Sequence, residues 1–379
     1  MTGRSSSERE ALAKQNAAIM AVFERAGFEH IAPDIIQPAD IFLERSGEDI
    51  RARTFVFSDP EGHELCLRPD LTVPACRYHL SHAANAETET RYCYLGPAFR
   101  FPDELLSPQE FNQAGIEWFG GIDAVADEAR VIKLALSALE ATGLSKLKTT
   151  VGDLGLFNAL LDDMPMPARW RRRLRHQFWR PQAFHGLLEN FAKPARFKRT
   201  SISPHVDAMI DRDATQAVSK VLAARNFPMV TDRSLEDIAS RLSEKLADRS
   251  EPPLSPDRVE KIESYLKIHG TLADVVKPLK ALGATPEYSG ALQRFEHRIA
   301  ALEDQGLNPR RFHFNANFGR ELEYYTGLVF QVEVDNRNAP LAVAGGGRYD
   351  SLLQDLGAKQ PISAVGCAIH TERVKAVMA

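Results

Sequence analysis

Short segments rich in aromatic and apolar residues lie near both ends of this chain of 379 residues, and a long, mostly helical stretch separates the two groups. Such segments are typical of β-strands. The predicted strands cover residues 54–58, 64–68, 91–95, 115–119, 328–335 and 364–369. We therefore expect one antiparallel sheet that is assembled from both ends of the chain and flanked by helices, with a helical insertion between the ends. This is an α+β fold.

The helical stretch predicts a discontinuous core and an insertion. The core is expected at residues 1–165 and 305–379, and the mostly helical insertion at residues 166–304. A proline-rich segment, residues 250–256, interrupts the insertion and predicts a stiff hinge or loop.

Two helices of the predicted core are marked by their ends. Ser7 and Glu10 have the spacing of a capping box, in which a serine and a glutamate satisfy opposite backbone amides. The helix that follows is predicted to end at Gly27. A second helix is predicted over residues 127–142, because its apolar residues recur at helical spacing and Gly143 follows them.

Charge and cysteine usage exclude several classes of function. The chain carries 47 basic and 51 acidic residues, a net charge of −4, which argues against a polyanionic RNA as the main partner. The N-terminus lacks the apolar core of a secretory signal, and the apolar runs are too short to span a membrane. No Cys-x-x-Cys pair occurs, so we expect no metal site and reduced, buried thiols in a cytoplasmic protein. The cysteines are Cys66, Cys76, Cys93 and Cys367.

Three polar side chains of a predicted β-hairpin are suited to a small ligand. Arg100 follows an apolar segment and is expected to project from a strand end. Gln113, Gly115 and Glu117 alternate along the returning strand and therefore share one face. A glutamate on that face can hold an ammonium or imidazole group, and an arginine can hold a carboxylate. The alternative is a structural ion pair between Glu117 and Arg100.

Asp70 and Thr72 are polar residues at the entry to a turn or helix. They follow Arg68-Pro69, where the proline fixes an extended backbone. Aspartate and threonine at this spacing are also common helix N-caps. The two residues alone leave both a ligand-binding role and a capping role open.

A third polar and aromatic group lies nearer the C-terminus. Tyr324 and Tyr325 precede a strong predicted strand, so one is expected to face the ligand and the other to point away. The alternative for each is a core aromatic with a bonded hydroxyl group. Arg320 is either a surface charge or part of the same site. Three consecutive glycines, residues 345–347, predict a tight turn where the backbone approaches a ligand.

Together these segments resemble the histidyl-tRNA synthetase family of class II synthetases. Two of them are similar to the family's histidine-specific stretches, which are absent from other class II synthetases. The resemblance covers both ends of the chain and is weak through residues 165–300. The matching segments are Arg68–Thr72, Phe99-Arg100 with Gln113 and Glu117, Arg320–Gly327, Gly346–Asp350 and Glu372-Arg373.

This resemblance implies a class II synthetase-like fold with a histidine pocket. Glu117 and Tyr325 would contact the imidazole, and Asp70 and Thr72 would hold the ammonium group. Carboxylate and phenol suit an imidazole, which offers one donor and one acceptor. No metal or other cofactor is implied. The pocket residues that the resemblance implies are Asp70, Thr72, Arg100, Gln113, Glu117, Arg320, Tyr324, Tyr325 and Tyr349.

Departures from the family pattern argue against aminoacylation. Active enzymes use cationic groups in the loop after Phe-Arg to handle ATP, whereas residues 101–108 contain no basic residue. His370 replaces a glycine of the third motif, where a side chain would crowd the nucleotide. The chain also ends six residues after Arg373 (379 − 373), so we expect no anticodon-binding domain.

A synthetase-like pocket without the ATP-handling groups resembles the regulatory subunits of ATP phosphoribosyltransferase. The resemblance implies a non-catalytic protein of histidine biosynthesis, needed by a short-form ATP phosphoribosyltransferase catalytic subunit for activity and for feedback inhibition by L-histidine. It also implies a homodimer within a cytoplasmic hetero-oligomer. The alternatives are a truncated histidyl-tRNA synthetase-like enzyme that adenylates histidine, and a histidine-binding module without a catalytic partner.

Two basic segments lie within the predicted insertion. Residues 169–176 interleave arginine with an aromatic residue, and residues 193–199 add further basic groups. Such segments can contact RNA, but they are more typical of solvated helix faces or of edges that bind an acidic partner. We therefore do not expect tRNA as a partner.

Overall fold

The chain forms two compact units in a computed structural model. The first unit comprises residues 1–163 and 264–379, and the second comprises residues 164–263. The structure describes residues 3–45, 47–102, 109–193, 244, 247–248, 251–320, 324–336 and 339–378.

Twelve strands and thirteen α-helices occur within these ranges. The strands are β1 (Glu29–His30), β2 (Ile36–Pro38), β3 (Phe55–Ser58), β4 (Glu64–Leu67), β5 (Thr90–Phe99), β6 (Glu110–Phe119), β7 (Lys148–Asp153), β8 (His269–Thr271), β9 (Phe312–Asn315), β10 (Leu328–Val334), β11 (Leu341–Arg348) and β12 (Ala364–His370). The helices are α1 (Ser6–Arg25), α2 (Ala39–Arg45), α3 (Gly47–Arg53), α4 (Thr72–His82), α5 (Ala124–Ala141), α6 (Leu154–Asp162), α7 (Ala168–Gln177), α8 (Pro181–Ala192), α9 (Pro256–Leu266), α10 (Leu272–Lys280), α11 (Pro286–Asp304), α12 (Leu352–Asp355) and α13 (Thr371–Met378). None of the helices in the described ranges is long and apolar enough to cross a lipid bilayer.

The main sheet has nine strands in the order β1–β5–β6–β12–β11–β10–β7–β9–β8. The neighbours from β5 to β7 all pair antiparallel. Two outer pairs, β1 with β5 and β7 with β9, are parallel. The last strand, β12, lies between β6 and β11, so both ends of the chain contribute to the centre of the sheet. The predicted α+β class is confirmed, with parallel pairs towards the two edges of the sheet.

Two predicted helix starts and one predicted turn are wrong. Ser5 and Glu8 form the capping box of α1, two residues before the predicted pair, because Ser5-x-x-Glu8 has the same spacing and extends the helix. Helix α5 begins at Ala124, because the side chain of Asp123 accepts a hydrogen bond from the amide of Ala126. The glycines 345–347 lie inside β11, where they pair with β10 and β12, and do not form a turn.

Residues 264–304, which sequence analysis assigned to the insertion, belong to the first unit. Helix α11, the longest helix of this segment, packs against α5 and α6. Its buried side chains recur at helical spacing, so one apolar face is covered by the core. Residues 251–255, part of the predicted hinge, form no helix or strand before α9. Ser250 lies outside the described residues.

In the second unit, the arginines of α7 are paired with acidic residues of the same unit. Arg169 and Arg173 contact the carboxylate of Asp248, at 2.7 and 2.6 Å, and Arg169 also contacts Glu251 at 2.8 Å. Trp170 donates to Asp248 as well. These pairs neutralise part of the basic segment 169–176 within the unit itself. Residues 194–199 of the second basic segment lie outside the described residues.

A separate antiparallel sheet of three strands, β2–β4–β3, exposes an apolar face. Because side chains alternate along a strand, residues that lie opposite each other in neighbouring strands share one face of this sheet. Gln37 and Cys66 lie on the inner face and are buried. On the outer face, Ile36 is 53% exposed and Phe57 is 40% exposed. Four half-buried residues complete this outer face: Pro38, Phe55, Leu65 and Leu67.

A buried ionic network joins the sheet to the helices that cover it. Arg298 of α11 contacts Glu128 of α5 and Asp153 at the end of β7. Glu128 also pairs with Arg348 at the end of β11, and Arg348 pairs with Asp350 at 2.8 Å. Glu128 and Asp153 side chains are each 1% exposed. Their charges are therefore compensated by these arginines and not by water.

Arg298→Met should lower the free energy of unfolding by about 3 to 5 kcal/mol, because it leaves buried carboxylates without their cation. Chemical denaturation measures the change. Lys148→Met is the matched control: Lys148 pairs with Asp335, both side chains being more than half exposed, so its loss should cost less than about 1 kcal/mol. Equal effects of the two substitutions would contradict a structural role for the network.

Candidate functional site

A cavity of about 320 Å³ opens on one face of the central sheet, within the first unit. Its size is that of a small-molecule site. The cavity is lined by β6, β11 and β12, by the entry to α4 and by the segment before β10. Eight of the nine residues predicted for the site line it: Asp70, Thr72, Arg100, Gln113, Arg320, Tyr324, Tyr325 and Tyr349.

The floor of the cavity is formed by paired strands, in which polar residues lie opposite or next to glycines. Gln113 lies opposite His370, and Glu117 lies opposite Gly366. A side chain at position 366 would collide with the carboxylate of Glu117, and one at position 345 would collide with the guanidinium of Arg320. Position 366 requires glycine, because a side chain there would also meet the backbone oxygen of Ile116, whereas a side chain at 345 would displace the guanidinium end of Arg320.

Glu117 is the one predicted site residue that does not line the cavity, because it is fully buried behind Tyr349. Tyr349 donates a hydrogen bond to its Oε2, and Tyr94 donates one to its Oε1 at 2.9 Å. Burial raises the pKa of the Glu117 carboxyl to about 7, although hydrogen bonds from Tyr349, Thr72 and Tyr94 lower it. The contacts described for Glu117 are with hydroxyl groups, so they give no support to a structural ion pair with Arg100.

Three polar atoms buried at the cavity have no hydrogen-bond partner among the described residues. They are Oδ2 of Asp70, Oε1 of Gln113 and Nε of Arg320. Burial also raises the pKa of Asp70, against the charge of Arg100. Two acceptors and one cationic donor lie unsatisfied in one cavity, which is the complement of a ligand that carries both an ammonium and a carboxylate group.

Asp70 has two roles that the sequence left as alternatives. Its Oδ1 accepts a hydrogen bond from the amide of Val73 at 3.1 Å, in the first turn of α4. Its Oδ2 remains available at the cavity. One carboxylate thus stabilises the start of the helix and contributes an acceptor to the site.

The outer part of the cavity is electropositive. Arg53, Arg100, Arg320 and Arg373 all line it. Burial, together with the charges of Arg373, Arg100 and Arg320, lowers the pKa of His370 well below its usual range. His370 is therefore neutral at physiological pH and packs against the ring of Phe111, with centroids 5.1 Å apart. An anionic ligand group is favoured at this end.

The prediction that only one of Tyr324 and Tyr325 faces the site is wrong. Both line the cavity, with ring centroids 4.8 Å apart. The two residues precede β10, which begins at Leu328, so the alternation of a strand does not apply to them. Tyr349 packs edge-on against Tyr324 at 5.6 Å and completes an aromatic wall.

Sequence reasoning missed Tyr94, Gln331 and Cys367. Gln331 and Cys367 line the cavity from β10 and β12, and Tyr94 supports it from β5. Tyr94 lies opposite Gly115 in the sheet, and this pairing of a large residue with a glycine is the signal that could have identified it. All four cysteines are buried and free, as expected from the sequence.

One group of side chains in the described ranges has the spacing of metal ligands. Asp59, Glu61 and His63 lie together in the turn between β3 and β4. The Asp59 carboxylate accepts hydrogen bonds there from the amides of Glu61 and His63 and contacts the His63 ring at 3.0 Å. The turn itself therefore explains why these groups are close together.

The sequence matches known proteins over most of its length. A family model described as histidyl-tRNA synthetase matches residues 4–184 and 206–374. A curated relative from Rhizobium rhizogenes is 36% identical over 368 residues, covering 95% of this chain and 96% of the relative. One from Mesorhizobium japonicum is 37% identical over 369 residues, with the same coverage. Both relatives are named ATP phosphoribosyltransferase regulatory subunit.

Solved structures share the fold at lower identity. A protein from Bacillus halodurans C, described as an ATP phosphoribosyltransferase regulatory subunit/histidyl-tRNA synthetase, superposes with a TM-score of 0.70 at 22% identity. The match covers 100% of this chain and 82% of that protein. Histidyl-tRNA synthetase from Nostoc sp. PCC 7120 gives a TM-score of 0.65 at 16% identity, covering 99% and 75%. The class II synthetase-like fold is thereby confirmed.

Glu117→Gln should change how stability depends on pH. Because the folded-state pKa of Glu117 is raised from 4.5 to about 7, its contribution is greatest below pH 4.5 and is lost as pH rises through about 7. The free energy of unfolding of the wild type, minus that of Glu117→Gln, should fall by up to roughly 3 kcal/mol across this window. Denaturation at a series of pH values measures the difference.

Glu110→Gln provides the matched control for this measurement, because Glu110 is an exposed carboxylate at the start of the same strand. It separates the effect of removing any carboxylate of β6 from that of removing the buried one. A pH-independent difference for Glu117→Gln would show that Glu117 is ionised throughout and that burial does not govern it.

Proposed function

The chain belongs to the histidyl-tRNA synthetase family and, within it, to the regulatory subunits of ATP phosphoribosyltransferase, and we propose that it binds L-histidine and controls a separate catalytic subunit. In this proposal a short-form ATP phosphoribosyltransferase catalytic subunit needs the chain for activity and for inhibition by histidine, within a cytoplasmic hetero-oligomer. The chain itself performs no catalysis. The observation that carries the proposal is the set of unpaired polar atoms in a cavity walled by tyrosines.

The chemistry of histidine matches the two ends of the cavity. Asp70 and Gln113 offer unpaired acceptors for an ammonium group, and Arg320 offers a donor for a carboxylate. The hydroxyls of Tyr349, Tyr325 and Thr72 lie at the aromatic end, where an imidazole needs one donor and one acceptor. A purely apolar side chain would form no hydrogen bond with these hydroxyl groups, whereas an imidazole can.

His370 supports the absence of catalysis. It lines the cavity beside Arg373, in the motif where the synthetases that this chain resembles have a glycine. Its ring fills space against Phe111 and carries no charge for phosphate, because its pKa is lowered. The second departure that the sequence suggested lies in the loop 101–108, of which residues 103–108 are outside the described ranges.

A histidine-adenylating enzyme is the second candidate, and one observation favours it. Arg100 and Arg373 line the same cavity as the amino-acid groups, so a phosphate group bound there would lie near cationic side chains. Exchange of pyrophosphate into ATP in the presence of histidine distinguishes the two functions. Robust exchange by the purified chain would overturn the non-catalytic proposal.

The outer face of the three-stranded sheet supports the proposed homodimer. Ile36 and Phe57 are exposed there among other apolar residues. Contiguous exposed apolar faces of this kind commonly mark interfaces between proteins. A second copy of the chain presents the same face, so the two can be related by a two-fold axis.

Asp70→Asn should weaken histidine binding and histidine inhibition together. The oxygen of the asparagine amide can still accept from the amide of Val73. Its NH2 group then replaces the free acceptor Oδ2 of Asp70 by a donor, so affinity for histidine should fall roughly 10- to 100-fold. Calorimetry with L-histidine and phosphoribosyl-transfer assays of the complex measure both effects. The exposed Asp335→Asn is the control. Failure of the wild type to bind histidine, alone or in the complex, would refute the proposed ligand.

Ile36→Asp with Phe57→Asp should convert a dimer into monomers, because two charges would be buried in an apolar contact. Light scattering coupled to size-exclusion chromatography measures the mass. Ile122→Asp is the control, since Ile122 is 98% exposed and lies outside this face. A dimer that persists in the double variant would exclude the outer face as the interface.

A further inference from the structure

Tyr94 is fully buried and makes its hydrogen bond to Glu117 from outside the cavity. Its ring lies across Gly115, where any side chain would collide with the phenol. The hydroxyl reaches Oε1 of Glu117 at 2.9 Å. A core tyrosine usually bonds its hydroxyl to some nearby group, but this one bonds to the carboxylate that also holds Tyr349.

The two phenols hold opposite oxygens of one carboxylate. Tyr94 donates to Oε1 and Tyr349 donates to Oε2. A phenol has a single hydrogen to donate. Once Tyr349 has given its hydrogen to Glu117, its oxygen can only accept a hydrogen bond from the cavity.

We propose that Tyr94 is a positioning residue of the pocket: by fixing one oxygen of Glu117 it directs the other at Tyr349, so that the Tyr349 hydroxyl presents an acceptor to an N–H group of the ligand. The identity of that ligand as histidine rests on the proposed function. The imidazole of histidine has such an N–H group. Tyr94 itself does not touch the ligand.

The pH behaviour of Glu117 agrees with this geometry. The hydrogen bond from Tyr94 lowers the pKa of Glu117, so removal of the hydroxyl should raise that pKa above about 7. A protonated Glu117 could donate a hydrogen bond itself, and Tyr349 would then be free to donate into the cavity. The acceptor presented to the ligand would be lost at pH values where the wild type retains it.

The thiols and phenols near Glu117 do not titrate in the same range, whereas burial raises the pKa of Asp70, a second carboxyl group there. Burial raises the pKa of the neighbouring thiols and phenols, which therefore stay neutral, and Asp70 adds a nearby acidic group that raises the pKa of Glu117. Thr72 adds a hydrogen bond. The neutral neighbours are Cys76 of α4, Cys367 of β12, Tyr94 of β5, and Tyr324, Tyr325 and Tyr349.

Tyr94→Phe tests the proposal, with Tyr92→Phe as its matched control. Tyr92 lies two residues away on the same strand and face, but its hydroxyl lies 3.4 Å from His79. Calorimetry with L-histidine between about pH 6 and pH 9 should show that Tyr94→Phe binds about tenfold more weakly near pH 7 to 8. The ratio of its Kd to that of the wild type should return towards one at higher pH, as Glu117 ionises. Tyr92→Phe should follow the wild type throughout.

A Kd ratio for Tyr94→Phe that is constant with pH would show a merely structural effect and overturn the proposal, as would a ratio of one at every pH. A double-mutant cycle adds a second criterion: in a Glu117→Gln background, Tyr94→Phe should have no further effect on Kd. An undiminished effect there would show that Tyr94 does not act through Glu117.

Carbon NMR of the Glu117 carboxyl in the ligand-free protein separates this inference from the proposed function. Tyr94→Phe should shift the titration midpoint of Glu117 upwards, and Tyr92→Phe should leave it unchanged. This readout does not depend on which ligand binds. An unshifted midpoint in Tyr94→Phe overturns the positioning role, whereas a shifted midpoint without histidine binding overturns only the proposed ligand.

Discussion

The pairing of β6 with β12 is the contact on which the pocket depends. It brings the last strand of the chain beside a strand from its first third and sets Glu117 opposite Gly366 and Gln113 opposite His370. A slip of β12 by one residue would send the side chain of His370 to the other face of the sheet. It would also place a side chain where only glycine leaves room for the Glu117 carboxylate. Folding of the sheet and formation of the pocket are therefore one event.

The segment Arg348–Asp350 connects this pocket to the outside of the sheet. Tyr349 points inward to Glu117, while Arg348 pairs with Glu128 on α5 and Asp350 accepts from the amide of Ala364 at 2.8 Å. Adjacent residues thus serve the cavity and the ionic network. A ligand that contacts Tyr349 therefore acts on a segment whose preceding residue is held by a buried charge on α5. This is a physical link between the cavity and the helical surface, of the kind that regulation by a bound ligand requires.

Local patterns predicted some parts of the molecule well, and tertiary contacts decided the others. Alternation along β6 placed Gln113, Gly115 and Glu117 on one face, and the structure agrees. A run of three glycines favours a turn locally, yet β10 and β12 hold 345–347 in a strand, because strand pairing outweighs the local preference. Amphipathicity likewise marks α11 as a packed helix without indicating which unit it packs against. The sequence does not distinguish Tyr94 from other core aromatics, because its role depends on the position of the Glu117 side chain.

Without a ligand, the polar groups of the pocket lower the stability of the folded protein. An unpaired buried acceptor costs free energy, and Asp70, Gln113 and Arg320 each leave a buried atom without a partner in the described chain. The same burial raises the pKa of Asp70 and Glu117, which further disfavours the ionised, ligand-ready form. A zwitterion that satisfies these atoms would stabilise the folded protein, by an amount that rises with the logarithm of its concentration relative to Kd. Because the three atoms belong to the entry to α4, to β6 and to the segment before β10, a ligand that satisfies them would stabilise the contacts among these segments, and not the cavity alone.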